Sequence, residues 1–119
     1  MAERTKGYRE LEIWKLGIEI VKDVYRLTAA FPQHELYGLA GQMRRCSVSV
    51  PSNIAEGYRR QHNREYRQFV HVSLGSCAEL ETQATIAKEL GYVGRREEAE
   101  LLEKLDHECR MVSNLTKKL

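Results

Sequence analysis

The chain has 119 residues, of which 42% are hydrophobic and 30% charged. That length fits one domain able to bury roughly two thirds of its unfolded surface, and the composition argues against disorder. No apolar run approaches the ~20 residues of a membrane span, and "MAERTKGYRELEIW" lacks the apolar core of a secretory signal, so the sequence predicts a cytoplasmic protein with no membrane partner.

Residues 1–8 read as a flexible tail and residues 9–119 as a single domain. The first helix is predicted over about 9–31. Ile13, Gly17, Ile20, Val24, Leu27 and Phe31 recur at alternating steps of four and three, and Trp14, Ile18, Val21, Tyr25 and Thr28 form a second row beside them. Two adjacent rows make an apolar face wider than a coiled-coil seam. Pro32 disfavours the α conformation at Phe31 and should end the helix there.

The second helix is predicted over about 35–57. Leu36, Leu39, Met43, Cys46, Val50 and Ile54 keep one phase past Pro51. An interior proline costs about 3 kcal/mol and frees the carbonyl four residues earlier, that of Ser47. A chain that broke at Pro51 and restarted would have no reason to keep that phase, so one helix kinked at Pro51 is expected. Ser49, Ser52 and Asn53 are short polar side chains suited to the freed groups, and Gly57 reads as the stop.

The third helix is predicted over about 63–90, with Tyr66, Phe69, Val70, Ser73, Cys77, Leu80, Ala84 and Ala87 on one face and Gly91 as its end. The fourth, about 95–119, carries Leu101, Leu105, either Cys109 or Glu108, Val112, Leu115 and Leu119. Acids in its first turns and Lys117 and Lys118 in its last suit the helix dipole. No stretch alternates with period two. The expected fold is all-α: an up-down-up-down four-helix bundle.

Catalytic signatures are sparse. None of the four histidines has a Glu three residues before it, which removes the di-iron pattern of helical bundles. Hydrolase and phosphate-loop motifs are missing as well. Cys46, Cys77 and Cys109 are far apart in sequence, a poor zinc site and a poor disulfide framework, and all three read as buried free thiols. Glu79, Glu81 and Gln83 read as a solvated or interface face. The sequence therefore predicts a non-enzyme without metal or cofactor.

Charge is more informative. Arg44, Arg45, Arg59, Arg60, Arg64 and Arg67 face only Glu56 and Glu65 within 44–67, a net of +4, whereas residues 79–108 carry nine acids and four bases. Arginine offers a planar fork to phosphate oxygens, and Tyr58 and Tyr66 are interleaved with the second group. If the third helix begins early, Arg60, Arg64 and Arg67 share one face. These residues fit a nucleic-acid surface, and equally a solvated loop or a set of arginines that meets acids on another subunit.

The stretches "LEIWKLGIEIVKDVYRLTAAFPQHELYGLAGQMRRCSVSVPSNIAEGYRR" and "EYRQFVHVSLGSCAELETQATIAKELGY" resemble the bacterial 23S rRNA intervening-sequence proteins. The accessory variability determinant of diversity-generating retroelements is a relative of that family. The most specific parts are Phe31-Pro32, Tyr37-Gly38-Leu39, Gln42 with Arg44-Arg45, Ser49 with Pro51 to Gly57, and Gly75-Ser76 with Glu79 to Gln83. The resemblance implies a bundle with Pro51 inside helix 2 and a homo-oligomer, typically pentameric. In the retroelement relatives it implies binding to nucleic acid and to a reverse transcriptase. Two positions depart from the pattern: His62 stands where Ser or Thr is common, and Cys46 where Ala is usual.

The expected function is a self-associating bundle that binds structured RNA or DNA through Arg44, Arg45, Arg59, Arg60, Arg64 and Arg67. The rival is a structural or protein-interaction module whose basic loop serves assembly.

Overall fold

The computed structural model describes residues 7–119. It is all-helical: α1 is Glu12–Thr28, α2 Leu39–Tyr58, α3 Asn63–Glu89 and α4 Arg95–Thr116, with short 3-10 turns at Tyr8–Glu10 and Gln33–Glu35. No strand occurs among the described residues. Each helix packs on its neighbour in sequence, and α4 returns to α1. Connections of ten, four and five residues join the helices in turn, an arrangement consistent with the expected up-down-up-down bundle. Most of the expected tail lies outside the described residues. Tyr8, assigned to that tail, is instead packed against Trp14, with ring centroids 5.5 Å apart.

The core follows the first rows read from the sequence. Ile20 and Val24 of α1, Val50 and Ile54 of α2, Val70, Cys77 and Leu80 of α3, and Leu105 and Val112 of α4 are completely buried. The second row of α1 is shallower: Trp14, Ile18 and Val21 are half-buried and Tyr25 is exposed. α1 ends at Thr28, short of Pro32, and a turn carries Phe31 into the core against Tyr92 at 5.1 Å between centroids.

α2 runs unbroken through Pro51, as the phase of its apolar row requires. Ser49 Oγ donates to the Cys46 carbonyl and Asn53 Nδ2 to the Ser49 carbonyl, so these side chains serve positions other than the Ser47 carbonyl that proline leaves open. Its start differs from expectation. Residues 33–35 form a 3-10 turn and Leu36 is exposed, because Glu35 works as a clamp and not as a first helical residue. Its Oε1 accepts from the Leu39 N–H at 3.0 Å and its Oε2 from the Tyr92 hydroxyl at 2.8 Å. The Leu39 N–H and the Tyr92 hydroxyl hold the Glu35 carboxyl below its ordinary range.

Gly57 is not the stop of α2, which continues to Tyr58. It is a contact point: a Cβ there would lie 2.8 Å from Phe69 Cβ and 2.9 Å from Tyr66 Cδ1. The α2–α3 seam is built from such small groups. Ser73 Oγ donates to the Val50 carbonyl at 2.8 Å, and the Ser49 and Ser76 hydroxyls are bonded to each other. Cys46 fits the same seam, its thiol donating to the Ser76 carbonyl at 3.1 Å. Burial, with Glu79 nearby, pushes that thiol up to about 12. Past α3, Gly91 does act as a stop, with φ of 80°. α4 begins with the Gly94 N–H donating to Glu97 Oε1 at 2.9 Å.

One core position resolves against the apolar reading. Of the two candidates in α4, Glu108 is the completely buried one and Cys109 the half-buried one. Neither Glu108 oxygen has a hydrogen-bond partner. Oε2 lies 3.4 Å from where a Gly17 Cβ would stand, and Pro51 Cβ lies 3.1 Å from the same point. The carboxyl thus occupies the space that Gly17 of α1 leaves open beside Pro51 of α2. Burial is the main reason its pKa rises from 4.5 to about 8, with Cys109 adding to it.

Candidate nucleic-acid interface

The turn from α2 to α3 places four of the six candidate arginines at one end of the bundle. α2 closes with Arg59, whose N–H bonds the Ala55 carbonyl, and Arg60, whose N–H bonds that of Gly57. His62 is the extended residue that starts α3, and its side chain makes no cap bond. α3 begins at Asn63, so Arg60 lies in the turn and does not share a helical face with Arg64 and Arg67. All four are exposed.

Their partners differ in kind. Arg59 lies over the Tyr8 ring at 5.4 Å and Arg60 over the Phe69 ring at 4.7 Å. Arg60 Nη2 also comes within 3.7 Å of Glu56 Oε2, an exposed pair worth at most about 1 kcal/mol. Arg64 and Arg67 form no ion pair among the described residues. Tyr58 and Tyr66, interleaved with them in sequence, are not available as base platforms. Both are buried, edge to face, with centroids 6.0 Å apart. Their role is to anchor the turn, which holds the arginines on a rigid base.

The structure separates Arg44 and Arg45 from this group. Arg59 stands fifteen positions after Arg44, about 22 Å along the helix axis. Arg44 Nε donates to Thr28 Oγ1 at 2.8 Å, and its guanidinium lies over the Tyr25 ring at 4.9 Å. Both partners are on α1. Arg45 is exposed on the same stretch of α2. The Glu79, Glu81 and Gln83 group is mixed: Glu79 is exposed, while Gln83 is buried and its Nε2 donates to Glu79 Oε2 at 3.1 Å.

The fold adds cations that spacing did not reveal. Arg9 lies 5.5 Å from the Tyr8 centroid and 5.2 Å from that of Trp14, so Tyr8 is flanked by Arg9 and Arg59. A surface groove of about 380 Å³ runs along Tyr8, Ala55, Glu56, Arg59 and Arg60. Exposed Lys117 and Lys118 follow the end of α4. Only an aromatic residue next to an arginine before α1 could have signalled the Tyr8–Arg9 contribution.

Fold and site together define a small helical bundle with one cationic end and no helix among the described residues long and apolar enough to cross a membrane. The family model of the 23S rRNA-intervening sequence protein matches residues 9–114. The chain belongs to that family. No curated protein matches the chain.

Proposed function

We propose that the protein is a non-enzymatic, homo-oligomeric bundle that binds structured RNA or DNA through its cationic end, with Arg59, Arg60, Arg64 and Arg67 as the phosphate contacts. The observation that carries this reading is four exposed arginines on one anchored turn, two of them without an ion pair among the described residues. Arg9 extends the same surface, since it shares the Tyr8 ring with Arg59. Binding of this kind follows the phosphate backbone and gains affinity from released counterions, with little sequence preference. Arg44 is assigned to packing against α1, and Arg45 to a flank of the surface.

Self-association has its own support. Val48 of α2, Val72 and Ile86 of α3, and Leu90 just past the end of α3 are 40–54% exposed. An apolar contact there leaves the cationic end open. Pentamer formation and a reverse-transcriptase partner are part of this reading through the family resemblance, and a cytoplasmic setting through the sequence pattern. The rival, a basic turn that meets acidic helices of a second copy, is favoured by the nine acids of residues 79–108.

The test is binding to labelled structured RNA and duplex DNA across a salt series, with and without Arg59, Arg60, Arg64 and Arg67 changed to Ala. Four phosphate contacts on duplex DNA give a slope of about −3.6 in log affinity against log salt, which flattens in the variant. Absence of binding at low salt by a folded protein refutes the proposal. In that case an oligomer that dissociates as salt rises assigns the arginines to assembly.

A further inference from the structure

The groove of about 380 Å³ at the cationic end is built from two levels of α2 and one outside residue. Ala55 and Glu56 stand one helical turn before Arg59 and Arg60, so the four share a face, and Tyr8 closes the side. Tyr8 is half-buried and held by Trp14 and Tyr58, with ring centroids 5.5 and 6.5 Å away. Arg59 lies over Tyr8 and Arg60 over Phe69, so each guanidinium is backed by a ring. Ala55 adds only a methyl group, which leaves the space open.

Glu56 is the odd member of this set. It lies in the last turn of α2, where the helix carbonyls already carry partial negative charge. It also stands beside arginines assigned to phosphates, which a carboxylate repels. Its side chain is 60% exposed, and its contact with Arg60 at 3.7 Å is longer than a hydrogen bond. Helix electrostatics and phosphate binding both disfavour an acid here. A neutral ligand with N–H donors is what a carboxylate in this groove suits.

We propose that the groove takes one unpaired guanine of a bound strand, read by Glu56; the proposal rests on the phosphate reading of the cationic end. Guanine shows two adjacent N–H donors on its Watson–Crick edge, at N1 and N2, one for each carboxylate oxygen. Adenine and cytosine set one donor beside an acceptor, and uracil sets one donor between two acceptors. Each of these three therefore turns a lone pair toward the carboxylate. Tyr8 and the ring-backed guanidinium groups supply surfaces on which a base stacks. In a duplex the same guanine donors are paired to cytosine, so the groove selects loops, bulges and ends.

The test titrates the full chain, across a salt series, with labelled RNA hairpins of one stem. Each carries a loop of adenines whose central residue is G, inosine, A, C or U. The G loop should bind about tenfold tighter than the A, C and U loops, with inosine, which lacks the N2 amine, between them. Glu56→Gln should level the series, because an amide N–H then faces a guanine donor. It should also tighten the A loop, because a charge near the phosphates is gone. A Glu56→Gln variant that keeps the preference overturns the proposal and leaves Glu56 as a partner of Arg60 alone. Equal affinity for all loops with the salt dependence intact overturns the guanine site and leaves the phosphate contacts standing. Absence of binding to any hairpin at low salt removes both. Free guanosine monophosphate that binds as tightly as the G loop overturns the assignment to a strand. The loop series on the unsubstituted chain decides without the variant.

Discussion

Replacing Glu108 tests the core more directly than any apolar truncation. The carboxyl is completely buried, both oxygens lack partners, and its neighbours are Gly17 and Pro51, neither charged. The titratable groups that reach it are thiols, Cys109 on its own helix and Cys77 on α3. An acid whose folded pKa is raised binds its proton more tightly in the native state. Stability is therefore greatest below the unfolded value and falls as pH rises toward the folded one. With values of 4.5 and about 8, the window spans those pH values. At about 1.4 kcal/mol per pH unit the full loss is about 5 kcal/mol, of which roughly 3–4 kcal/mol falls between pH 5 and pH 8. Against a total of about 5–15 kcal/mol, that decides whether the bundle is robust at pH 8. Urea midpoints measured from pH 5 to pH 8 should drop by about 2 M for the unsubstituted chain, at an m value of about 2 kcal/mol/M. Glu108→Gln keeps the shape but cannot ionise, so its midpoints should be flatter over that range by the same amount. Glu108→Met removes the buried polar atoms and should stabilise by about 2 kcal/mol or more at pH 8. Identical pH profiles for Glu108→Gln and the unsubstituted chain would refute the reasoning, because the carboxyl would then be as well solvated folded as unfolded.

Three further substitutions separate packing from propensity and from surface charge. Gly57→Ala and Gly75→Ala both gain helix propensity of up to about 1 kcal/mol, yet they should differ in sign. A Cβ at Gly57 meets Phe69 and Tyr66 below 3.0 Å and should cost about 1–3 kcal/mol, whereas one at Gly75 meets nothing within 4 Å and should stabilise, both read by thermal unfolding. Arg44→Ala loses the bond to Thr28 and the stacking on Tyr25, and should destabilise by about 1–2 kcal/mol in urea while leaving the salt slope for duplex DNA unchanged.

The helical architecture was legible because all four helices carry rows that no strand or loop would produce. Where the reading failed, a local device outweighed the row. Leu36 keeps the phase of α2, but Glu35 gathers the Leu39 N–H and the Tyr92 hydroxyl and so delays the helix start. The Tyr92 contact spans 57 positions and leaves no mark on the residues near 35. Gly57 looked like punctuation, since glycine commonly ends helices, yet here it admits the close approach of Phe69 and Tyr66 from α3. Position 108 was ambiguous because steps of three and of four both fit the row, and polarity favoured Cys109. The complement of Glu108 is the absent side chain of Gly17, just over ninety positions earlier on α1. The arginine group was half legible. Its turn members are neighbours in sequence, but only the folded chain brings Arg9 against Tyr8 or shows Arg44 turned to α1.

This division bears on how the cationic end is best probed. The α2–α3 seam is held by Ser73 on Val50, by Ser49 with Ser76, and by Tyr58 against Tyr66. Arg59 and Arg60 each cover an aromatic ring, so their truncation removes packing as well as charge, at about 0.5–1 kcal/mol for an exposed cation–π pair. Arg64 and Arg67 stand on the outside of α3, exposed and without an ion pair among the described residues, and their loss removes charge alone. Changing only these two to Ala should leave the unfolding midpoint within about 0.5 kcal/mol and still remove about half of the salt slope expected from four contacts. A slope unchanged in that variant would place the phosphate contacts on Arg9, Arg59 and Arg60, around the Tyr8 groove.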